Sequence, residues 1–228
     1  MKLFKPDNED AWFEFRRQHL TSTELAGIHL SKTARAWQEL REQKESGERW
    51  GGNQYTEWGT AREPILAPLV TDVDSRLDYN AEPQTIIINP DDERLCGTPD
   101  LFSEDGEVIG EIKTSKHQFT GGYWHNWCPD RYYLQVQANM WHSGAEACVL
   151  LVEYYKEQDG EFSPVEYEYQ VIHYDPTVVE DMQATAAQWF AWLDGTAPDW
   201  MGEVTSLEDA DEVEDLVAQL ADAEEKSA

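Results

Sequence analysis

The chain has 228 residues, 40% hydrophobic and 12% aromatic, enough for one large domain or two small ones around an ample core. It has no run of 18 apolar residues, its opening stretch MKLFKPDNEDAW lacks a signal-peptide apolar centre, and the widely spaced Cys96, Cys128 and Cys148 argue against a disulfide framework, a zinc knuckle or an iron–sulfur cluster. The formal net charge of −29 opposes nucleic-acid binding, which Lys and Arg drive by neutralising phosphates, and a soluble protein of a reducing, intracellular compartment is expected.

In chain order, Asp10 to His19 reads as a short helix that half-buries Trp12, Phe13 and Phe15 and carries Arg16. Thr21 followed by Glu24 fits a capping box, so a second helix starts here and runs through Leu25, Ala26 and Ile28. Its N-terminus presents free N–H groups and, with Arg16 near, would suit a terminal phosphate; an ordinary cap beside a surface arginine is the plainer alternative. Ser31 to Glu45 fits a polar amphipathic helix, and Ser46 to Tyr55 a mobile loop around Gly51-Gly52. Trp58 to about Asp72 is helical, but Pro64 and Pro68 are awkward inside a helix. Either the helix begins at Pro64 or it kinks there, and in both cases Glu63 lies near a helix end. Gln84 to Asn89 suits a short buried strand, closed by a turn at Pro90-Asp91-Asp92.

Leu95 to Thr114 is the informative stretch. Asp105-Gly106 between strand-like runs predicts a hairpin with a two-residue type I′ turn. Counting outward from Glu104 opposite Glu107 pairs Phe102 with Ile109, Leu101 with Gly110, Asp100 with Glu111, and Thr98 with Lys113. The two acids become cross-strand neighbours, roughly 5 Å apart at Cβ. Glu111 and Lys113 share one face while Ile112 points into the core. Two carboxylates that close repel unless a cation separates them or one takes a proton. Magnesium, hard and oxygen-seeking, is the natural cation, and the lysine would stabilise developing charge or orient an attacking water. A surface hairpin with solvated charges is the bland alternative.

Lys116 to Asp130 reads as a loop rich in aromatics and glycine, whose Lys116, His117, Tyr123 and Trp124 would line a nucleic-acid groove or serve as core. His117, His125 and His142 have no zinc-ligand spacing. Arg131 to His142 has helical periodicity with Leu134, Ala138 and Trp141 on one stripe and Gln135 toward a cleft. Ala147 to Tyr154 reads as a central strand and Val165 to Tyr174 as a more exposed one, joined through a turn at Asp159-Gly160. Asp175-Pro176 opens a last helix ended by Gly195. Beyond it, residues 203–228 carry ten acids and one lysine, with an apolar stripe at Val213, Leu216, Val217 and Leu220 that suits a helix over Leu207 to Glu224. Residues 1–200 are therefore expected to form one domain and 201–228 an acidic tail.

Pro99-Asp100 followed by Glu111-Ile112-Lys113 resembles the signature of the PD-(D/E)XK nuclease superfamily. The ordered set Trp12, Arg16, Thr21-Ser22-Thr23-Glu24, Trp58-Gly59, Glu63, Thr98-Pro99-Asp100, Glu111-Ile112-Lys113, Gln135-Val136-Gln137 and Met140-Trp141 is similar to the phage lambda exonuclease and YqaJ-type viral recombinase family, over about residues 10 to 195. The resemblance implies an α/β, restriction-endonuclease-like core with a mixed central β-sheet flanked by helices. It implies a processive Mg2+-dependent 5′→3′ exonuclease on double-stranded DNA ends, with Mn2+ able to substitute. The product would be a 3′ overhang for a single-strand annealing protein, and the enzyme a ring-shaped homotrimer in the cytoplasm of a bacterial host, encoded by a phage or prophage, with no membrane partner. By position, Asp100 and Glu111 would be metal ligands with the Ile112 carbonyl assisting, and Lys113 would orient or activate the water. Glu63 would serve a second metal directly or through its shell, and Gln135 would position the nucleophile or a metal water. Arg16 and Thr23 match the pocket for the substrate 5′-phosphate; the family commonly has serine at the latter position, and Ser22 is the alternative hydroxyl.

Two other functions suit parts of the sequence. A different PD-(D/E)XK endonuclease would keep the same site and cut circular DNA. An acidic DNA-mimic inhibitor would suit the charge of −29, but its carboxylates should be spaced over one face like phosphates rather than converge on a lysine.

Overall fold

The computed structural model describes residues 1–49 and 51–201. Helix α1 (Glu9–Gln18) starts where the Asn8 side chain accepts from the Ala11 N–H at 2.9 Å, and acids in its first turn and arginines in its last complement the helix dipole. Helix α2 (Ser22–Ser31) opens on the capping box read from the sequence. The Glu24 N–H donates to Thr21 Oγ1 at 3.3 Å and the Thr21 N–H to the Glu24 carboxylate at 2.8 Å. Helix α3 (Ala34–Ser46) follows, with Trp37 and Leu40 buried.

Helix α4 (Gln54–Val73) does not begin at Pro64, and this corrects the expected place of Glu63. It begins at a capping box on Asn53 and runs through both Pro64 and Pro68, so Glu63 lies mid-helix rather than near an end. A proline inside a helix costs ~3 kcal/mol through its missing donor and its ring. Leu66, Ala67 and Val70 bury almost completely, and at roughly 1.5–3 kcal/mol per large side chain that packing offsets the loss.

The strands among the described residues are β1 (Lys2–Phe4), β2 (Leu20–Thr21), β3 (Leu77–Tyr79), β4 (Ile86–Ile88), β5 (Leu95–Gly97), β6 (Leu101–Ser103), β7 (Val108–Ser115), β8 (Ala147–Gln158) and β9 (Glu161–His173). They form two mixed sheets: a small one in the order β1-β4-β5-β2 and a central one in the order β3-β6-β7-β8-β9. In the central sheet β7 and β8 run parallel and the other neighbours antiparallel. This is the mixed α/β class expected from the sequence, with the small sheet added; strands of two or three residues carry no periodicity to read. Helix α5 (Asp130–Ser143) and helix α6 (Pro176–Leu193) join α2 and α3 over Ile109, Cys148, Leu150 and Ile172 on one face of the central sheet. Helix α4 covers Val108, Ile112, Val149 and Leu151 on the other.

The β6–β7 register is the one counted from the sequence, Leu101 opposite Gly110 and Phe102 opposite Ile109, but the turn differs. Gly106 is left-handed at φ 76° while Asp105 is not, which excludes type I′. Instead the Gly106 N–H donates to the Ser103 carbonyl at 3.0 Å, and Asp105 Oδ1 accepts from the Ser103 hydroxyl and, at 3.0 Å, from the Glu107 N–H. At the β8–β9 turn both Asp159 (φ 53°) and Gly160 (φ 82°) are left-handed, and Gln158 faces Glu161 directly, as type I′ requires. Among the described residues no helix is long and apolar enough to cross a membrane. The helix expected over Leu207 to Glu224 lies outside the described residues.

Candidate active site

The β6–β7 ladder ends at Leu101 and Gly110. One residue further, the Ile112 N–H donates to Asp100 Oδ2 at 2.7 Å, so the carboxylate takes the place of the next strand bond. Strand alternation puts Ile112 in the core, 4% exposed, and turns Glu111 and Lys113 to the α5 side. There Lys113 Nζ donates to Glu111 Oε1. Gln135 Nε2 on α5 donates to the same oxygen at 2.6 Å, and one turn later Asn139 Nδ2 donates to Oε2 at 3.2 Å. Asp100, Glu111, Lys113 and Gln135, singled out from the sequence, therefore meet at one place.

Negative charge exceeds what Lys113 neutralises. Burial, then the neighbouring Glu111, push the Asp100 carboxyl well above the usual carboxylate range. Glu63 is pushed up to about 7, chiefly by burial, with Lys113 opposing and Glu111 and Glu82 adding to the rise. For Lys113, burial pulls downward, but Glu111 and Asp100 outweigh it and hold the ammonium above its ordinary range. Among the described residues no three His, Cys, Asp or Glu side chains close into a metal cage. Asp100 and Glu111 make the close pair, and Glu63 is felt through its charge. That donor set fits Mg2+, which takes one or two carboxylates and keeps its remaining positions for water and phosphate.

Beside this centre, Arg16 Nη1 donates to Thr98 Oγ1, and its guanidinium lies 4.4 Å from the centroid of the Trp12 ring. Burial lowers the Arg16 pKa, with Cys96, Glu24 and Glu111 pulling the other way. The two candidate phosphate hydroxyls part company. Ser22 is buried and donates to the Cys96 carbonyl at 3.4 Å, on the strand that Arg16 also borders, whereas Thr23 is exposed. A cleft of about 430 Å³ opens between α1 and α4, with Trp12 and Glu9 on one wall and Thr60 and Glu63 on the other.

The loop of residues 116–129 splits its four candidate groove residues. Lys116 pairs with Glu157 at 3.0 Å, His117 accepts through its carbonyl from the Ser115 hydroxyl, Tyr123 is 86% exposed, and Trp124 packs on the core beside His29. Sequence reasoning did not assign Asn139, although its position four residues after Gln135 puts both on one helix face. Nor did it assign the Arg62 fork on Glu153, 2.7 and 2.6 Å, which anchors α4 next to Glu63; a pair 91 residues apart leaves no sequence signal.

Residues 11–146 match the family model for the YqaJ-like viral recombinase domain. The chain belongs to that family. The matched segment carries Trp12, Arg16, Ser22, Glu63, Asp100, Glu111, Lys113, Gln135 and Asn139. No curated protein matches the chain. Among solved structures, the alkaline exonuclease LHK-Exo from Laribacter hongkongensis is similar, with a TM-score of 0.59 at 17% identity over 92% of this chain and 99% of that one. LHK-Exo in complex with dAMP gives the same values. A phage-related exonuclease from Haemophilus somnus 129PT reaches a TM-score of 0.56 at 17% identity, over 77% of this chain and 94% of that one. At that identity the likeness establishes the shared fold of this YqaJ-family chain.

Proposed function

We propose that this YqaJ-family chain is a Mg2+-dependent exonuclease that digests double-stranded DNA from 5′ ends and leaves 3′ single strands for an annealing partner. The observation that carries the reading is the convergence of Asp100, Glu111, Lys113 and Gln135 next to Arg16 and an open cleft. That its structural neighbours include an alkaline exonuclease and a phage-related exonuclease agrees with it.

Asp100 and Glu111 would hold the cation, with the Ile112 carbonyl and Glu63 as further oxygen donors. When bound, such a cation neutralises charge on the scissile phosphate and lowers the pKa of a water. Lys113, 5.6 Å from the centroid of the Tyr132 ring and held by Glu111, would donate to a phosphate oxygen as charge develops. Gln135 spends its amide N–H on Glu111 and keeps its carbonyl to accept from the attacking water. Arg16 would trade Thr98 for the terminal 5′-phosphate, and of the two hydroxyls Ser22 is the better placed. Mn2+ should replace Mg2+. A homotrimeric ring would retain duplex against the repulsion of a −29 chain; a processive monomer would refute that part.

The test is digestion of linear duplex with 5′-phosphate or 5′-hydroxyl ends beside a closed circle, in Mg2+ and in EDTA, with Lys113→Ala as control. Metal-dependent loss of the phosphorylated linear DNA alone, abolished in the variant, is expected. Cutting of the circle would indicate an endonuclease, and absence of cleavage at every salt concentration would favour the acidic mimic.

A further inference from the structure

Two buried polar atoms on α5, Asn139 Oδ1 and His142 Nε2, have no protein hydrogen-bond partner. Both side chains border Gly97, as Ser22 does. A Cβ at Gly97 would lie 2.3 Å from Asn139 Oδ1, 2.7 Å from Ser22 Oγ and 3.3 Å from His142 Cδ2, so a side chain there would displace at least the asparagine. The Glu111 carboxylate accepts hydrogen bonds only, which forces Asn139 to present its NH2 to Glu111 and its oxygen to Gly97. Asn139, 1% exposed, thus reaches from a proposed metal ligand to Gly97 at the end of β5. Gln135 holds the other oxygen of Glu111.

We infer that Asn139 is a positioning residue: held between Gly97 of β5 and the Glu111 carboxylate, it fixes the orientation of Glu111 for the cation. The inference rests on the metal-dependent reading above. Residues that orient a metal ligand typically change metal affinity or activity 10–100-fold when lost.

The test compares wild type, Asn139→Ala and Gly97→Ala by two readouts. One is the Mg2+ dependence of the melting temperature of DNA-free protein; the other is the Mg2+ dependence of end cleavage, with the duplex KM measured alongside. The Mg2+ midpoint should rise roughly 10–100-fold in Asn139→Ala in both readouts, with the duplex KM unchanged, and Gly97→Ala should move it in the same direction by displacing the asparagine. A variant that melts lower yet keeps the wild-type Mg2+ midpoint would overturn the inference, because a purely structural role predicts that result. If Asn139→Ala fails to fold, the Gly97→Ala midpoint decides. Wild-type protein that responds to Mg2+ in melting but cleaves nothing would refute the exonuclease reading, and the melting midpoints would then judge Asn139 alone. A wild type with no Mg2+ response in either readout would overturn both.

Discussion

The substitution His142→Asn should remove a specific part of the acid sensitivity of this fold. His142 is fully buried, its Nδ1 accepts from Asn89 Nδ2 at 3.0 Å, and burial pulls its pKa down from 6.5 to about 3. The accepting Nδ1 requires the neutral ring with its proton on Nε2; its partner Asn89 is uncharged, and burial is the cause of the shift. Because the folded pKa is depressed, the contribution to stability is present above pH 6.5 and lost as pH falls, when the unfolded chain takes a proton that the folded chain refuses. The loss approaches about 1.4 kcal/mol per pH unit, or about 2.7 kcal/mol between pH 7.5 and 4.5. The asparagine in the variant keeps an acceptor for Asn89 but cannot titrate, so it carries a packing penalty independent of pH. Urea unfolding of both proteins at half-unit steps from pH 7.5 to 4.5, in EDTA, isolates the effect, since the carboxylates cancel in the difference. Wild type should lead at neutral pH and lose that lead steadily below 6.5; parallel stability curves would refute the assignment of a buried neutral imidazole.

Arg62→Ala should destabilise by about 3–5 kcal/mol in urea unfolding, since it strands Glu153, whose side chain is 5% exposed, as an unpaired buried charge. A double replacement of Arg62 and Glu153 by apolar residues should recover most of that loss. Glu63→Gln should stabilise the metal-free protein at pH 8 by about 1–3 kcal/mol and have little effect at pH 4. The penalty of a carboxyl raised to about 7 begins as the unfolded chain ionises near 4.5 and is complete above 7. Equal effects of Glu63→Gln at both pH values would show that its environment is not desolvating. Trp37→Ala should cost about 3–5 kcal/mol in the same assay, because Trp37 is fully buried among the rings of Trp189, Trp192 and Trp200.

What could be read from the residues was local or strictly periodic. The Thr21–Glu24 capping box, the alternation that pairs Glu111 with Lys113 and buries Ile112, and the β6–β7 register all depend on groups within one turn or one hairpin. The same Asp-Gly dipeptide nevertheless makes two different turns. At 159–160 both residues take the left-handed conformation, whereas at 105–106 the Ser103 hydroxyl and the Glu107 N–H hold the Asp105 carboxylate and select another geometry. Helix α4 passes through two prolines because burial against the sheet outweighs a local preference, which no reading of Pro64 and Pro68 alone can weigh. Tertiary structure alone brings Gln135 and Asn139 onto Glu111, sets Arg62 on Glu153, turns Ser22 inward and Thr23 outward, and leaves Gly97 as the space they share. Those contacts join residues from 24 to 91 positions apart, and chain distance erases the signal: the interaction energies arise only after the core has placed the backbones, so the residues need obey no mutual spacing along the chain.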